Sequence, residues 1–300
     1  MTRTDLAGLR GSCLRGRIAD RVTLETVFRL CKICGSGELE RWSLASDLVA
    51  CRNCDFVFAS RIYGPSELQD TYRHLYSENG GYRAKLRALE KLRAGEAVGL
   101  GWNKRIVLRR LKTLHPGRVL ELGAGVGVVA RYLSNRPVEY LGVEFEQNIA
   151  REAALLGLDI VAGDYKTAAE ITGARSLDAV LAFEVLEHVQ DIGDCLRSLN
   201  RLMKTEGVLG FSVPNLRACE NYRPPRLGQY GPPVHLNFWT QGSLEKTLAF
   251  FGFRPLMMRE RPLPIRSGDH WNDVKRVVTA VMRRYHGPTL ACVAQKMHEA

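Results

Sequence analysis

Four of the eight cysteines in this 300-residue chain stand in two C-x-x-C pairs, Cys31/Cys34 and Cys51/Cys54, separated by sixteen residues. Thiolates at this spacing can close a tetrahedron around one metal ion, and an all-sulfur set leaves no place for water, so the metal would be structural. Zinc is the expected ion; rubredoxin-like iron and free thiols are the alternatives. A second group has a different character. Val119-Leu120-Glu121-Leu122-Gly123-Ala124-Gly125-Val126-Gly127 is an apolar run ending in an acid and then in glycines at every second position. It reads as a buried parallel strand that turns sharply into a helix, with glycine where a Cβ would obstruct the turn or a ligand. A nucleotide-like ligand suits such a turn. The dinucleotide fingerprint G-x-G-x-x-G is not met, because Val128 stands where its third glycine would be.

More candidates follow in order. Glu144 ends the apolar run Tyr140–Val143, where a carboxylate can accept hydrogen bonds from both hydroxyls of a ribose. Asp164 follows the run 158–163 and is equally suited to capping the next helix. Glu187-His188 ends the stretch Asp178–Val189 at a strand-to-helix junction. An imidazole there could take a proton, with the acid beside it raising its basicity and orienting it; the alternative is a pair that only organises the turn. His235 lies in His235-Leu-Asn237-Phe238-Trp239-Thr240 and is a second possible base or a histidine bonded within its loop.

The elements that must position these residues are readable in outline. Residues 1–25 are expected to be a flexible basic tail, 26–62 the metal ribbon, 63–117 a helical lid or linker, and 118–300 the main domain. The helical stretch from Pro65 to Tyr76 is broken by Gly80-Gly81, and two more follow at 83–94 and 102–114. From Arg118 strands and helices alternate, the signature of an α/β doubly wound parallel sheet. Residues 254–258 and 289–294 would add an antiparallel edge pair, with a basic helix at 271–285 between them. Residues 216–234, dense in Pro, Gly, Arg and Tyr, form an irregular insert of the kind that faces a substrate. Cys13, Cys195, Cys219 and Cys292 have no metal spacing and read as idle or buried thiols.

The net charge is +11, and the first 118 residues hold 22 Lys and Arg against 12 Asp and Glu, so nearly all of it lies in the first part of the chain. Such a balance fits RNA, a membrane surface or an anionic substrate, or simply an arginine-rich solvated surface. No apolar run has transmembrane length, and a soluble, cytoplasmic protein is expected.

Together, E-x-G-x-G-x-G at 121–127, the acids at 144 and 164 and Phe183-Glu184-Val-Leu-Glu187-His188-Val resemble the class I S-adenosylmethionine-dependent methyltransferases, in the small-molecule, ubiquinone-biosynthesis-like branch. The resemblance covers 118–260 well, and a zinc ribbon precedes the domain in a subset of these enzymes. It implies a Rossmann-like seven-stranded sheet and S-adenosylmethionine as cofactor, held by Glu121, Gly123, Gly125, Gly127, Glu144, Asp164, Tyr165, Phe183 and Glu184. It also implies that Asp164 accepts from the adenine amino group, and that helices before the domain form a lid with Tyr72, Tyr76 and Tyr82 as possible contacts. His188, Glu187 and His235 are then the catalytic candidates, and O-methylation of a small molecule or sugar the expected reaction. The segment from His235 to Thr240 is similar to the H-x-x-F-x-T element of the branch. Sugar C-methyltransferases place a second histidine where this chain has Asn237, which disfavours methylation of carbon. The absence of N-P-P-Y after the fourth strand disfavours methylation of amides. The alternatives are a ribosomal-RNA base methyltransferase that uses the basic N-terminal half and a non-catalytic cofactor-binding scaffold.

Overall fold

The computed structural model describes residues 27–263 and 285–300, apart from 44, 46, 79, 222–225 and 228–230, together with 274, 277, 278 and 281; the side chains of 72–78 and 80–82 are also outside the description. The tail at 1–25, most of the helix expected at 271–285 and the side chains of Tyr72, Tyr76 and Tyr82 therefore lie outside the described residues.

Three short strands come first, β1 (Leu39–Arg41), β2 (Leu48–Cys51) and β3 (Val57–Ala59), each antiparallel to the next. Helices α1 (Pro65–Glu78), α2 (Gly80–Arg93) and α3 (Trp102–Lys112) follow. Alternation then sets in with β4 (Arg118–Leu122), α4 (Val128–Leu133), β5 (Glu139–Glu144), α5 (Gln147–Ala154), β6 (Ile160–Ala162), α6 (Tyr165–Ile171), β7 (Leu177–Phe183), α7 (Ile192–Leu202) and β8 (Met203–Pro214). The chain closes with β9 (Asn237–Phe238), α8 (Gln241–Phe250), β10 (Phe253–Glu260) and β11 (Thr289–Lys296).

Seven strands make the main sheet, in the order β10-β11-β8-β7-β4-β5-β6. Strands β4 to β8 are parallel, and β11 runs against both of its neighbours. This is the doubly wound sheet with an antiparallel edge that the sequence implies. The central strands β4 and β7 are covered on both faces, which is why they read as nearly unbroken apolar runs. From β4 the chain winds out through β5 and β6, then returns to β7 on the other side. The crevice outside the carboxyl ends of β4 and β7 is therefore the place where such a sheet accepts a ligand.

Three details differ from the sequence expectation. Gly80 and Gly81 do not separate two helices by a loop; they lie in the first turn of α2, a helix end where glycine is readily accommodated. Helix α3 is no lid. Its buried residues Val107, Leu108 and Leu111 join Val119, Leu181, Val208 and Val293 in one apolar cluster, so it is a layer of the main domain. The ribbon is likewise not separate. Strand β9, from far along the chain, adds a fourth strand beside β3, and Ile33, Phe56 and Phe58 share a single core with Leu120, Val180 and Trp239. A module with so little apolar content of its own gains its core by merging with a larger one. Cys195, Cys219 and Cys292 are buried thiols, as expected.

Candidate functional site

Gly123, Gly125 and Gly127 all have left-handed backbone, with φ of 67°, 59° and 85°. At two of them space is tight as well: a Cβ on Gly123 would meet Val185 Cγ2 at 2.4 Å, and one on Gly127 would meet Leu158 Cδ1 at 2.3 Å. A Cβ on Gly125 would have no described atom within 4 Å beyond its chain neighbours. Gly127 thus serves packing, Gly123 packs against Val185 and also lines a cavity, and Gly125 opens onto that cavity, which is where a ligand would approach the backbone. That cavity is large, about 1280 Å³. A pocket for a single small ligand holds roughly 300–1,000 Å³, so this one has room for a cofactor and an acceptor together.

The carboxylate of Glu144 lies at the tip of β5, accepting from the amide of Gly125 at 2.7 Å and from that of Glu146 at 3.1 Å. It thereby ties the glycine turn to the second strand and lines the cavity beside it. Asp164 caps α6, accepting from the amides of Lys166 and Thr167 through one oxygen, and it also lines the cavity. The two roles foreseen for it are compatible. Tyr165 lines the same wall, and its hydroxyl donates to Asp194 at 3.0 Å.

Glu121 is placed differently from its neighbours. It is fully buried behind the glycine turn and is absent from the cavity wall, as is Gly127. Burial pushes its carboxyl up to about 7, against the opposing pull of Lys104 and of a hydrogen bond donated by Tyr140. The Lys104 ammonium stands 3.9 Å from Glu121 and 5.4 Å from the centre of the Phe183 ring, and Lys104 does reach the cavity. Sequence reading missed it because this helix reads as part of a lid or linker, with its Lys and Arg given no role. Its neighbour Asn103 was missed for the same reason. With the Ser212 hydroxyl at 2.7 Å, Asn103 Nδ2 holds the Glu184 carboxylate at the end of β7. Glu184 has φ of 56°, a conformation that costs a non-glycine residue on the order of 1–3 kcal/mol and is held here by those contacts.

Glu187, His188 and His235 come together as the sequence spacing alone could not show. Their ligating atoms all lie within 4.8 Å of one another. The imidazoles meet edge to face, 4.8 Å between centres. His188 Nδ1 lies 2.8 Å from the carbonyl of Val234, so a neutral ring carries its proton there and keeps Nε2 as the basic atom. The expectation that Glu187 raises the basicity of His188 is not met. Glu187 is 1% exposed, neither of its oxygens has a hydrogen-bond partner among the described residues, and His188 Nε2 is 3.8 Å away. Burial first, and the nearby Glu184 charge second, hold the Glu187 carboxyl well above the usual carboxylate range, which favours its protonated form. Burial also depresses both histidines, His188 to about 4 and His235 to about 3. The trio can act as a neutral proton-accepting pair beside an acid, or, with Glu187 ionised, as three ligands for a divalent cation.

The four cysteines form the other candidate metal centre. Cys31 and Cys54 sulfurs are 3.5 Å apart and those of Cys34 and Cys51 3.6 Å, with all four within 4.8 Å. A tetrahedron with Zn–S near 2.3 Å has edges of roughly 3.8 Å, so the donor set fits zinc with little adjustment. Gly35, at φ 71°, makes the turn after the first pair.

The sequence model of a family described as "Methyltransferase domain" matches residues 94–257, more than half of the chain. The chain belongs to this methyltransferase family. The class I, S-adenosylmethionine-dependent type implied by the motifs is the one whose sheet the structure has. Among curated relatives, the ubiquinone biosynthesis O-methyltransferase of Bradyrhizobium diazoefficiens is 32% identical over 141 residues, covering 46% of this chain and 54% of the relative. That of Chromobacterium violaceum is 31% identical over 135 residues, covering 43% and 56%. The chain thus spans about half the length of the curated relatives it matches. Of solved structures, a Burkholderia thailandensis 1,6-didemethyltoxoflavin-N1-methyltransferase with bound S-adenosylhomocysteine aligns at 17% identity and a TM-score of 0.50, covering 82% of this chain and 98% of that one. A putative methyltransferase complexed with the Haloferax volcanii Trm112 activator aligns at 17% identity and TM-score 0.52, covering 65% and 89%. Both likenesses concern the fold. For this methyltransferase they agree with the α/β fold described above. No described helix is long and apolar enough to cross a membrane.

Proposed function

We propose that this methyltransferase moves a methyl group from S-adenosylmethionine to a hydroxyl of a small, largely apolar acceptor. The observation that carries the reading is the neutral pair His188 and His235 in the same cavity as Gly125 and Glu144. Glu144 is suited to the ribose hydroxyls, Asp164 and Tyr165 to the adenine end, and Lys104, beside Phe183, to the carboxylate of the methionine end. The sulfonium, when bound, supplies a methyl carbon that leaves with its bonding pair remaining on sulfur. In this reading His188 Nε2 receives the hydroxyl proton as the new O–C bond forms, with the His235 ring packed against it.

The cavity lining includes Leu68, Leu216, Leu227, Val234 and Phe238, which suits an apolar acceptor better than a glycan with many hydroxyls to satisfy. The nucleic-acid alternative finds little support in the described ribbon, whose exposed charges are mixed: Glu38 and Glu40 stand beside Arg41 and Arg52. The test is transfer of labelled methyl from S-adenosylmethionine to a panel of phenols, aliphatic alcohols, amines, sugars and bulk RNA. Label on the hydroxyl compounds is expected, and label confined to RNA or amines would sink the reading.

A further inference from the structure

Two observations about the four-cysteine ribbon do not fit a passive appendage. The first is how it is stitched to the site. Strand β3 pairs with β9 through Val57 with Phe238 and Phe58 with Asn237, and the amide of Ala59 donates to the carbonyl of Leu236 at 2.9 Å. Leu236 directly follows His235, and its own amide donates to the carbonyl of Glu187 at 2.7 Å. One short strand therefore joins the ribbon on one side and the Glu187–His188 turn on the other. Beyond that turn the side chain of Gln190 clamps the segment leaving the ribbon, accepting from the amide of Tyr63 at 2.7 Å and donating to its carbonyl at 3.1 Å. The first turn of α7 also rests on the first cysteine knuckle: a Cβ on Gly193 would lie 2.4 Å from the carbonyl oxygen of Lys32.

The second observation is Asn237, which the sequence offered as a base that had been lost. It is buried, and its Nδ2 donates both of its protons, to the carbonyls of Leu186 at 2.9 Å and Val189 at 2.7 Å. Those carbonyls bracket Glu187 and His188. A neutral imidazole carries a single N–H proton and could not make this pair of bonds. By contrast, the Glu144 carboxylate accepts from the amides of Gly125 and Glu146, and that of Asp164 from the first turn of α6, all outside the ribbon.

We propose that the metal-loaded ribbon is the positioning element of the acceptor side of the site: through β9, Asn237 and Gln190 it sets the placement of His188 and His235, while the cofactor side forms without it. The naming of the two sides rests on the methyl-transfer reading. In this arrangement Asn237 is a positioning residue, and the cysteines act on the histidines through about one strand's width of backbone. The metal contributes by making β3 a fixed edge for β9 to add to; unligated, four clustered thiols lose that constraint.

The test uses the full chain and reads the two sides separately. Binding of S-adenosylhomocysteine is measured by calorimetry, and the histidine rings are followed by NMR of histidine-labelled protein, with signals assigned through His188→Gln and His235→Gln. Zinc-loaded protein is compared with chelator-stripped protein. Stripping is expected to leave the S-adenosylhomocysteine affinity within threefold, while the slowly exchanging Nδ1–H signal of His188, held on Val234, disappears and both ring spectra broaden. Ring signals that are unchanged without metal would overturn the proposal. So would loss of cofactor binding in step with the ring signals, since that is the behaviour of a protein that simply unfolds. Asn237→Ala provides the variant that leaves the cysteines alone: one zinc per chain and parental cofactor affinity are expected with the His188 Nδ1–H signal lost, and a parental signal would count against the brace. Failure of the intact, zinc-loaded protein to bind S-adenosylhomocysteine would overturn the cofactor reading instead, with the effect of metal on the ring signals still readable.

Discussion

His188 Nδ1 lies 2.8 Å from the carbonyl oxygen of Val234, and that contact fixes which nitrogen of the neutral ring carries the proton. It also joins the turn after β7 to the loop that carries His235. With the ring held near 4, His188 is deprotonated throughout the range in which the enzyme would work. The rate of methyl transfer is therefore expected to show no acid limb between pH 5.5 and 8, where an ordinary histidine base would give one near 6.5. His188→Gln should slow kcat by about 10²–10⁴-fold, with the KM for S-adenosylmethionine nearly unchanged. A pH–rate profile of kcat/KM on any competent acceptor checks both statements.

Gly127 and Gly125 of the turn should separate by phenotype. Gly127→Ala forces a collision with Leu158 in addition to a left-handed backbone, so its effect is expected on stability, about 2–3 kcal/mol in urea denaturation. Gly125→Ala has open space around its Cβ and should cost only about 1 kcal/mol of stability. Its Cβ projects where the cofactor must come close, so S-adenosylhomocysteine affinity should fall at least tenfold by calorimetry. Equal stability losses with unaltered binding would contradict the division of roles.

Glu187 gives a prediction about stability and pH. Its folded carboxyl is held well above its ordinary value near 4.5, so as pH rises past 4.5 the unfolded chain sheds a proton that the folded chain keeps. Stability from this group is then lost as pH rises, by about 1.4 kcal/mol per pH unit until the folded value is reached. Glu187→Gln has no such proton. The melting temperature of the variant should accordingly gain on the parent from pH 5 to pH 8, with no gain below pH 4.5. A gap that is constant with pH would mean that the carboxylate ionises normally in the folded protein.

Lys104 bridges the buried Glu121 and the cavity, so its loss should be felt in both directions. Lys104→Met is expected to weaken S-adenosylmethionine binding by about tenfold, the worth of one charge-assisted hydrogen bond at roughly 1.4 kcal/mol. It should also raise the Glu121 carboxyl above its present value of about 7, because the cation that opposes burial is gone. Calorimetry and a carboxyl-carbon NMR titration read the two effects.

Much of this was legible in the sequence. The strands β4, β5 and β7 announce themselves as apolar runs ending in Gly or acid, and the cysteine pairs by their spacing, because both signals are local. What escaped was set by residues distant in the chain. Strand β9 has two residues, too few for any periodicity, yet it decides where the ribbon belongs. Asn237 was visible only as a missing histidine, since its partners are backbone carbonyls some fifty residues earlier. Lys104 and Asn103 sit on a helix rich in exposed arginine, and nothing in their spacing marks the one turn that faces inward. The weak basicity of His188 follows from how deeply its neighbours bury it, a property of packing that no motif encodes.

The pairing of Phe58 with Asn237 joins residues ~180 positions apart, and this has a consequence for the protein while it is being made. At the roughly 5–20 residues per second of synthesis, the ribbon emerges some 10–40 s before the strand that covers it. During that interval β3 is a bare edge with Phe56 and Phe58 uncovered, the type of surface on which nascent chains stick to one another. Early capture of metal would keep the four thiols occupied through that wait, so a cell short of zinc should accumulate this protein as aggregate formed during translation and not as inactive folded enzyme.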